Sequence, residues 1–318
     1  MTPAPSPLER AIGAVVGSAV GDALGAPFEF GPEGAFSDRF PTPGDEMCGG
    51  GGWDPGEATD DTQTAVLVAE SLLERGGLDL PDVFRRLRRW AAAEPKDIGL
   101  QTEAVLTGGH PWDTAAALHF RTSQRAAGNG ALMRAAPSAV YFARHGRTAT
   151  LDAARRLSAL THGDPAAGEG TAVLHELVRV ALTGADPLEA VPETLAALRP
   201  EHRERFAVVL APTWHPDDAT EFNGAVWPCL GSAVWALRTT ASYEAAVRAA
   251  VDLGGDTDTV AAVTGALAGA VHGIGAVPER WTRVLRVPLP GFGDRVLRAP
   301  ELTGLARRLA GDPAVTTP

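Results

Sequence analysis

Residues 17–25 read GSAVGDALG and repeat a glycine at every fourth position, as Gly17, Gly21 and Gly25. The surrounding segment 7–24 is mostly apolar and has proline only at its first position, which predicts a helix. Because four residues make about one helical turn, the three glycines share one face. Each glycine costs about 1 kcal/mol of helix propensity relative to alanine. Three on one face therefore indicate that a neighbouring backbone packs very closely against this helix.

A second glycine-rich segment, residues 260–277, reads VAAVTGALAGAVHGIGAV and places Gly265, Gly269 and Gly273 at the same spacing. Small residues at this interval also allow helices to pack closely in membranes. The segment is weakly hydrophobic, since it consists mainly of alanine, glycine and valine, and it directly follows Asp256 and Asp258. We therefore interpret it as a buried helix in tight contact with its neighbours rather than as a membrane span.

The composition predicts an all-α protein built as a single compact multi-helix bundle. The chain has 318 residues, of which 45% are hydrophobic, 21% charged and 6% aromatic, enough for a sizeable core. Alternating β patterns are nearly absent, and no linker divides the sequence, so we expect one domain over residues 1–318 with a disordered arm at 1–6. The predicted helices span residues 7–24, 61–75, 80–93, 102–107, 112–119, 132–143, 148–160, 165–182, 188–197, 223–239, 243–252, 259–271 and 278–284.

Charge and cysteine content exclude several classes of partner and site. Twenty-eight basic and thirty-nine acidic residues give a net charge of −11, which disfavours binding to nucleic acid or to anionic membranes. The two cysteines, Cys48 and Cys229, lack CxxC spacing and cannot form a zinc or iron–sulfur framework. We expect a monomer in the reducing cytoplasm, with no disulfide.

Two short acidic segments stand at predicted helix starts: TDDT at residues 59–62 and GGDTDT at residues 254–259. One aspartate or threonine per segment would suffice to cap a helix, whereas adjacent carboxylates repel each other unless a cation lies between them. Oxygen ligands suit hard cations such as Mg²⁺, Mn²⁺ or Ca²⁺. If the segments converge, with Glu29 as a fifth carboxylate, they could hold two divalent ions. They lie about 195 residues apart, and the sequence alone leaves their convergence open.

Two further features carry weaker signals. Gly128, Asn129 and Gly130 precede a helix predicted to start near Leu132, and such an N-terminus can offer backbone N–H groups to a phosphate. The motif by itself favours an ordinary turn over such a site. His162 lies at a predicted helix end and is either structural or catalytic. The sequence contains no GxSxG elbow, P-loop or strand-linked GxGxxG motif, so nothing supports a serine or cysteine nucleophile.

Taken together, several segments resemble the ADP-ribosylglycohydrolase family, which includes the dinitrogen-reductase-activating glycohydrolases. They occur in the family order and extend over most of the chain, so the ordered set is far more specific than any single motif. The matching segments are GDALGAPFEF at residues 21–30, TDDT at 59–62, DIG at 97–99, GNGALMR at 128–134, TH at 161–162 and GGDTDT at 254–259.

The resemblance implies an all-α fold with two Mg²⁺ or Mn²⁺ ions in a cleft. The positions that match the family's metal ligands are Thr59, Asp60, Asp61, Asp256, Asp258 and Thr259. The implied catalytic carboxylates are Glu29, Asp60, Asp61 and Asp258, with Glu29 close to the metals and the distal ribose. The implied substrate-binding positions are Asp97, Gly99, Asn129, Gly130, Ala131, Met133, His162, Gly254 and Gly255. In arginine-specific members, the residue matching Asp97 lies near the guanidinium of the substrate.

The implied activity is metal-dependent cleavage of the glycosidic bond between ADP-ribose and an acceptor, foremost arginine on a protein. The sequence departs from the common pattern at Leu100 and Gln101 and at residues 163–165. These departures leave the linkage open between arginine, serine, a nucleic-acid base and a small ADP-ribosyl ester. A catalytically silent ADP-ribose-binding or structural member is a second possibility. A metal-dependent phosphohydrolase is a third, although its usual His-Asp ligand pairs are missing.

Overall fold

The computed structural model describes residues 3–44, 46–123, 127–312 and 314, and this part of the chain is almost entirely helical. Its only sheet is a two-stranded antiparallel hairpin of β1 (Val287–Pro288) and β2 (Val296–Leu297). The expected all-α fold is therefore confirmed. The helices are α1 (Pro7–Gly25), α2 (Ala35–Arg39), α3 (Asp60–Arg75), α4 (Leu80–Ala91), α5 (Leu100–Thr107), α6 (Ala115–Thr122), α7 (Ala136–Ala143), α8 (Arg147–Ser158), α9 (Pro165–Leu182), α10 (Val191–Ala196), α11 (Pro200–Val209), α12 (Val226–Thr239), α13 (Tyr243–Asp252), α14 (Thr257–His272), α15 (Glu279–Thr282) and α16 (Ala299–Leu309).

The two glycine stripes form the two sides of one contact, in which α1 and α14 run antiparallel with their backbones touching. A Cβ added to Gly21 would lie 2.1 Å from the carbonyl oxygen of Ala261, and one on Gly17 would lie 2.6 Å from that of Gly265. The reverse also holds, since a Cβ on Gly265 would lie 2.2 Å from the carbonyl oxygen of Gly17. Any side chain at these positions would force the helices apart, which explains why both helices retain glycine despite its low helix propensity.

This helix pair brings distant parts of the sequence to one end of the bundle. At the C-terminal end of α1, a Cβ on Gly25 would lie 2.5 Å from the carbonyl oxygen of Thr257, the first residue of α14. One turn earlier, the buried Asp22 carboxylate accepts hydrogen bonds from the backbone N–H groups of Thr59 and Thr62, both at 3.0 Å. The start of α3 is thereby fixed beside the start of α14.

Residues Pro7–Phe28 are long and apolar enough to cross a membrane by length and composition alone, with a mean hydropathy of 1.4. However, 94% of the apolar window is buried inside the protein. Ser6 caps α1 at its N-terminus, where its hydroxyl accepts from the N–H of Glu9 and the Glu9 carboxylate accepts from the N–H of Ser6. This segment thus packs as a core helix of the bundle. Of the arm predicted at residues 1–6, residues 1 and 2 lie outside the described part of the chain.

Several predicted helix boundaries are wrong. The helix predicted from Leu132 begins at Ala136, because the N–H groups of Leu132 and Met133 both donate to the carbonyl oxygen of Asn129 and form a turn. Pro137 then occupies the first turn of the helix, where its missing N–H costs nothing. The prediction missed α2, α11, α16 and the hairpin altogether. Cys48 and Cys229 are both free thiols.

Candidate active site

The ends of α1, α3 and α14 meet the segments around residues 97–102 and 128–133 in a cleft of about 470 Å³. The two acidic segments that are distant in sequence therefore lie in one place. The sequence-predicted residues that line this cleft are Glu29, Asp60, Asp61, Asp97, Gly99, Asn129, Gly130, Met133, His162, Asp256, Asp258 and Thr259.

Four predicted residues lie outside the cleft lining. Thr59 is buried as the N-cap of α3, with its hydroxyl accepting from the N–H of Asp61 at 3.3 Å. Ala131 is buried. Gly254 and Gly255 line a neighbouring pocket of about 360 Å³, so the structure places them beside the cleft rather than in it.

Carboxylates crowd the floor of the cleft. Glu29, Asp97 and Asp258 each offer one oxygen, and these three oxygens lie within 4.8 Å of one another. Such a group could hold a hard divalent cation, which takes carboxylate oxygens as ligands. Asp97, expected near a substrate guanidinium, is thus also a candidate metal ligand.

Asp61 provides an independent indication that this cluster is built around a cation. Its Oδ2 atom is buried without a hydrogen-bond partner, while Oδ1 is 3.4 Å from the donating hydroxyl of Thr259. A buried carboxylate oxygen without a partner is costly. A metal ion would supply the missing interaction.

The electrostatics of the cluster lead to the same conclusion. Burial, together with the nearby carboxylates of Asp97 and Asp256, raises the pKa of Glu29 to about 8. Burial and neighbouring carboxylates also hold the pKa values of Asp60 and Asp61 well above the usual aspartate range. Such a concentration of carboxylates favours the binding of a cation. A bound cation would lower the carboxylate pKa values that the neighbouring carboxylates raise.

Asp22 holds the start of α3 at this site, and the sequence indicated it only as part of the motif at residues 21–30. Its buried carboxylate accepts from the N–H groups of Thr59 and Thr62 and from the Thr62 hydroxyl. Burial raises the pKa of Asp22 to about 6, while these hydrogen bonds oppose the shift. A lone carboxylate within an apolar helix was the available signal, because such a residue needs buried partners.

The glycines of the GNG motif accommodate a histidine ring. A Cβ on Gly130 would lie 2.9 Å from Cε1 of His162, and one on Gly128 would lie 3.2 Å from its Nε2. The Thr161 hydroxyl accepts from Arg134 at 2.6 Å and lies 2.8 Å from Nδ1 of His162. Burial, reinforced by the charge of Arg134, lowers the pKa of His162 to about 3. The ring is therefore neutral at pH 7.

Asn129 contacts the acidic cluster directly. Its Nδ2 donates to Oδ2 of Asp256 at 2.9 Å, so the amide holds a carboxylate at the edge of the cleft. The interpretation of this motif as a turn is confirmed, because the N–H groups of Leu132 and Met133 donate to the carbonyl oxygen of Asn129. The helix start expected near Leu132 is wrong, since α7 begins only at Ala136. A phosphate bound near Gly130 would meet the N–H groups of a turn rather than a helix N-terminus.

Two of the residues that depart from the common family pattern, Leu100 and Gln101, line the cleft. Leu100 is 86% exposed at the start of α5, and the neighbouring Gln101 donates from Nε2 to the carbonyl oxygen of Thr161 at 3.1 Å. Phe30 is 73% exposed and stacks on Phe222, with ring centroids 6.3 Å apart. The rim of the acidic cleft is therefore apolar in part.

The fold and this cleft agree with comparisons to known proteins. The model of the ADP-ribosylglycohydrolase family matches residues 3–316, and the chain belongs to that family of glycosyl hydrolases. It is 32% identical to an ADP-ribosylarginine hydrolase, Tri1, of Pseudomonas putida (strain GB-1), over 86% of this chain and 73% of the relative. It is 30% identical to the ADP-ribosyl-[dinitrogen reductase] glycohydrolase of Rhodospirillum rubrum, over 87% of this chain and 90% of that protein.

A solved structure described as an ADP-ribosylglycohydrolase-related protein complex superposes with a TM-score of 0.77 at 36% identity. The match covers 98% of this chain and 99% of the other. The resemblance identified from the sequence motifs is thus confirmed at the level of family and fold.

Proposed function

We propose that this protein hydrolyses, with the help of divalent metal ions, the N-glycosidic bond between ADP-ribose and arginine on modified proteins. The observation that carries the proposal is that Asp60, Asp61, Asp256 and Asp258 line one cleft together with Glu29 and Asp97. Oxygens of Glu29, Asp97 and Asp258 lie within 4.8 Å of one another there. The relatives named as an ADP-ribosylarginine hydrolase and a dinitrogen reductase glycohydrolase support the arginine linkage.

The donor set suits a hard divalent ion such as Mg²⁺ or Mn²⁺, because it is made of oxygens and leaves Asp61 Oδ2 without a partner. We propose two such ions. A metal bound there would supply a Lewis acid for the ribose oxygens and a water of lowered pKa. The residues that we expect to hold the ions are Thr59, Asp60, Asp61, Asp256, Asp258 and Thr259.

The chain's own residues then bind and orient the substrate. Cleavage at the anomeric carbon builds positive charge in an oxocarbenium-like transition state, which nearby carboxylates stabilise. We assign proton transfer to Glu29 or to an aspartate of α3, since a carboxylate at hydrogen-bonding distance is the usual acid or base. Asp97 would pair with the guanidinium of an arginine leaving group. The phosphates would lie near the N–H groups of Gly130 and Ala131.

The decisive experiment compares peptides carrying ADP-ribosyl-arginine and ADP-ribosyl-serine, each with Mg²⁺, with Mn²⁺ and with chelator. We expect metal-dependent release of ADP-ribose from the arginine-linked peptide. The Asp61→Asn variant should lose about 100-fold or more, because it removes charge from a buried ligand. Glu33→Gln is the matched control, since Glu33 is an exposed carboxylate on the neighbouring pocket.

The other outcomes identify the competing functions. Faster turnover of the serine-linked peptide would change the proposed linkage but not the reaction class. Phosphate release without free ADP-ribose would indicate a phosphohydrolase, and absence of turnover with any metal would indicate a silent binding member. A single-domain monomer in the cytoplasm remains a prediction.

A further inference from the structure

Asn223, in the segment between α11 and α12, makes a pair of hydrogen bonds to the backbone of the acidic loop 254–256. Its Oδ1 accepts from the N–H of Asp256 at 2.9 Å, and its Nδ2 donates to the carbonyl oxygen of Gly254 at 2.9 Å. A backbone N–H can only donate and a carbonyl can only accept, so both partners fix the orientation of the amide. One side chain thus bonds to the residues before and after Gly255.

The loop that Asn223 spans has an unusual backbone. Gly254 and Gly255 both have φ of +70°, a left-handed conformation that the surrounding structure must maintain. The approach of the amide is close, because a Cβ on Gly255 would lie 2.5 Å from Oδ1 of Asn223. The two glycines allow the turn, and Asn223 bonds to it on both sides.

The same segment also reaches Asp256 through Asn129. The Nδ2 of Asn129 donates to Oδ2 of Asp256 at 2.9 Å and also lies 3.3 Å from the backbone carbonyl oxygen of Asn223. The N–H of Asn129 donates to the carbonyl oxygen of Gly224 at 3.0 Å. Asp256 is therefore held at its backbone by the Asn223 side chain, and at its carboxylate by an amide that the Asn223 segment supports.

Two backbone bonds keep the loop in place without involving the Asp256 carboxylate, which also bonds to Thr259. The N–H of Gly255 donates to the carbonyl oxygen of Gly31 at 3.0 Å, and the N–H of Phe30 donates back to Gly255 at 2.6 Å. These bonds tether Gly255 to the end of α1. Removing the Asn223 amide would leave this tether intact while releasing the backbone on both sides of Gly255.

We propose that Asn223 is a positioning residue that aims the Asp256 carboxylate into the acidic cluster and thereby sets the affinity of the site for divalent cations. The inference rests on the proposed function, since it assumes that Asp256 is a metal ligand. Partners that orient metal ligands from behind usually contribute 10- to 100-fold in metal affinity or activity. The Asn223 side chain itself need not touch the metal or the substrate.

The test is a titration of the purified full-length protein with Mn²⁺, in which electron paramagnetic resonance measures the free ion. Asn223→Leu keeps the branching of the side chain and removes both hydrogen bonds, and we expect Mn²⁺ binding to weaken about tenfold or more. Asn223→Asp keeps only the acceptor for the Asp256 N–H and should give a smaller loss. Thr150→Val is the matched control, because it removes a buried hydroxyl that donates within the α7–α8 region, to Phe142 and Gly146.

A second measurement separates positioning from general destabilisation. If Asn223 acts through the metal, saturating Mn²⁺ should restore kcat of Asn223→Leu to within about threefold of the unmodified protein. Should Asn223→Leu fail to fold, the same comparison with Asn223→Asp decides the question. Mn²⁺ affinity within twofold of the unmodified protein, or an equal loss in Thr150→Val, would overturn the inference alone. Absence of Mn²⁺ binding by the unmodified protein would overturn the proposed function together with this inference.

Discussion

Replacing Gly21 by alanine tests whether direct backbone contact between α1 and α14 holds the site together. The added Cβ would lie 2.1 Å from the carbonyl oxygen of Ala261. Ordinary contact begins near 3.4 Å, so the two helices would have to separate by about 1.3 Å. The obstructing atom belongs to the backbone of a buried helix, and no side-chain rotation can relieve the clash.

Two opposing effects determine the size of the change in stability. Alanine gains about 1 kcal/mol of helix propensity over glycine. Overpacking a well-packed interior costs about 1–3 kcal/mol, and the immobile obstruction at Gly21 places this site at the upper end. We therefore expect Gly21→Ala to lower the free energy of unfolding by about 2 kcal/mol.

Gly304→Ala provides the matched control, because a Cβ at this position in α16 would meet nothing within 4 Å. The same chemical change should there raise the free energy of unfolding by about 1 kcal/mol. Urea unfolding followed by circular dichroism measures both variants. If Gly21→Ala proves as stable as Gly304→Ala, the backbone contact between α1 and α14 does not exist as described.

Three further predictions concern charge and protonation. Asp97→Ala should impair release from ADP-ribosyl-arginine far more than from ADP-ribosyl-serine; equal losses in kcat/KM would instead indicate that Asp97 serves mainly as a metal ligand. Burial lowers the pKa of His175 to about 4, so the unfolded chain binds its proton first as the pH falls below about 6.5, and stability is lost towards pH 4. His175→Gln should remove about 1.4 kcal/mol per pH unit of this dependence between those limits, measured by urea unfolding at several pH values, and parallel profiles would contradict it. Glu46→Gln should lower the free energy of unfolding by about 3 kcal/mol, because the buried Glu46 carboxylate pairs with Arg248 and Arg280; a loss below about 1 kcal/mol would show that these pairs contribute little.

The sequence predicted which helix faces pack closely, but it did not predict which helix packs against which. The glycine spacing in segments 7–24 and 260–277 indicated close backbone approach in both, and both predictions are confirmed. Nothing in either segment specified that the two helices pack against each other, because a row of glycines can pack against any helix face with small side chains. The helix α11 was missed because its sequence, PEHRERFAVV, is charged at its start and shows no clear apolar period.

For the site, the sequence predicted which residues line the cleft, but it did not predict which residues hold them in place by hydrogen bonds. The motif resemblance supplied twelve residues that line the cleft. Asn223 carries no comparable signal, since a single asparagine before a glycine also marks an ordinary turn. Its contact with Asp256 depends on the path of the chain between α11 and α12, which is a tertiary property. The role of Gly254 and Gly255 is likewise a tertiary property, since both residues adopt the positive φ that the turn of this loop requires.

The pairing of α1 with α14 also constrains how the protein reaches its native state. About 240 residues separate the two helices, so during synthesis at about 5–20 residues per second the second partner leaves the ribosome roughly 10–50 s after the first. Throughout that interval the glycine face of α1 lacks the helix that covers it in the folded protein. The α1–α14 contact therefore forms only after the C-terminal third of the polypeptide has been made, and early termination of translation would release a fragment without the complete acidic cleft.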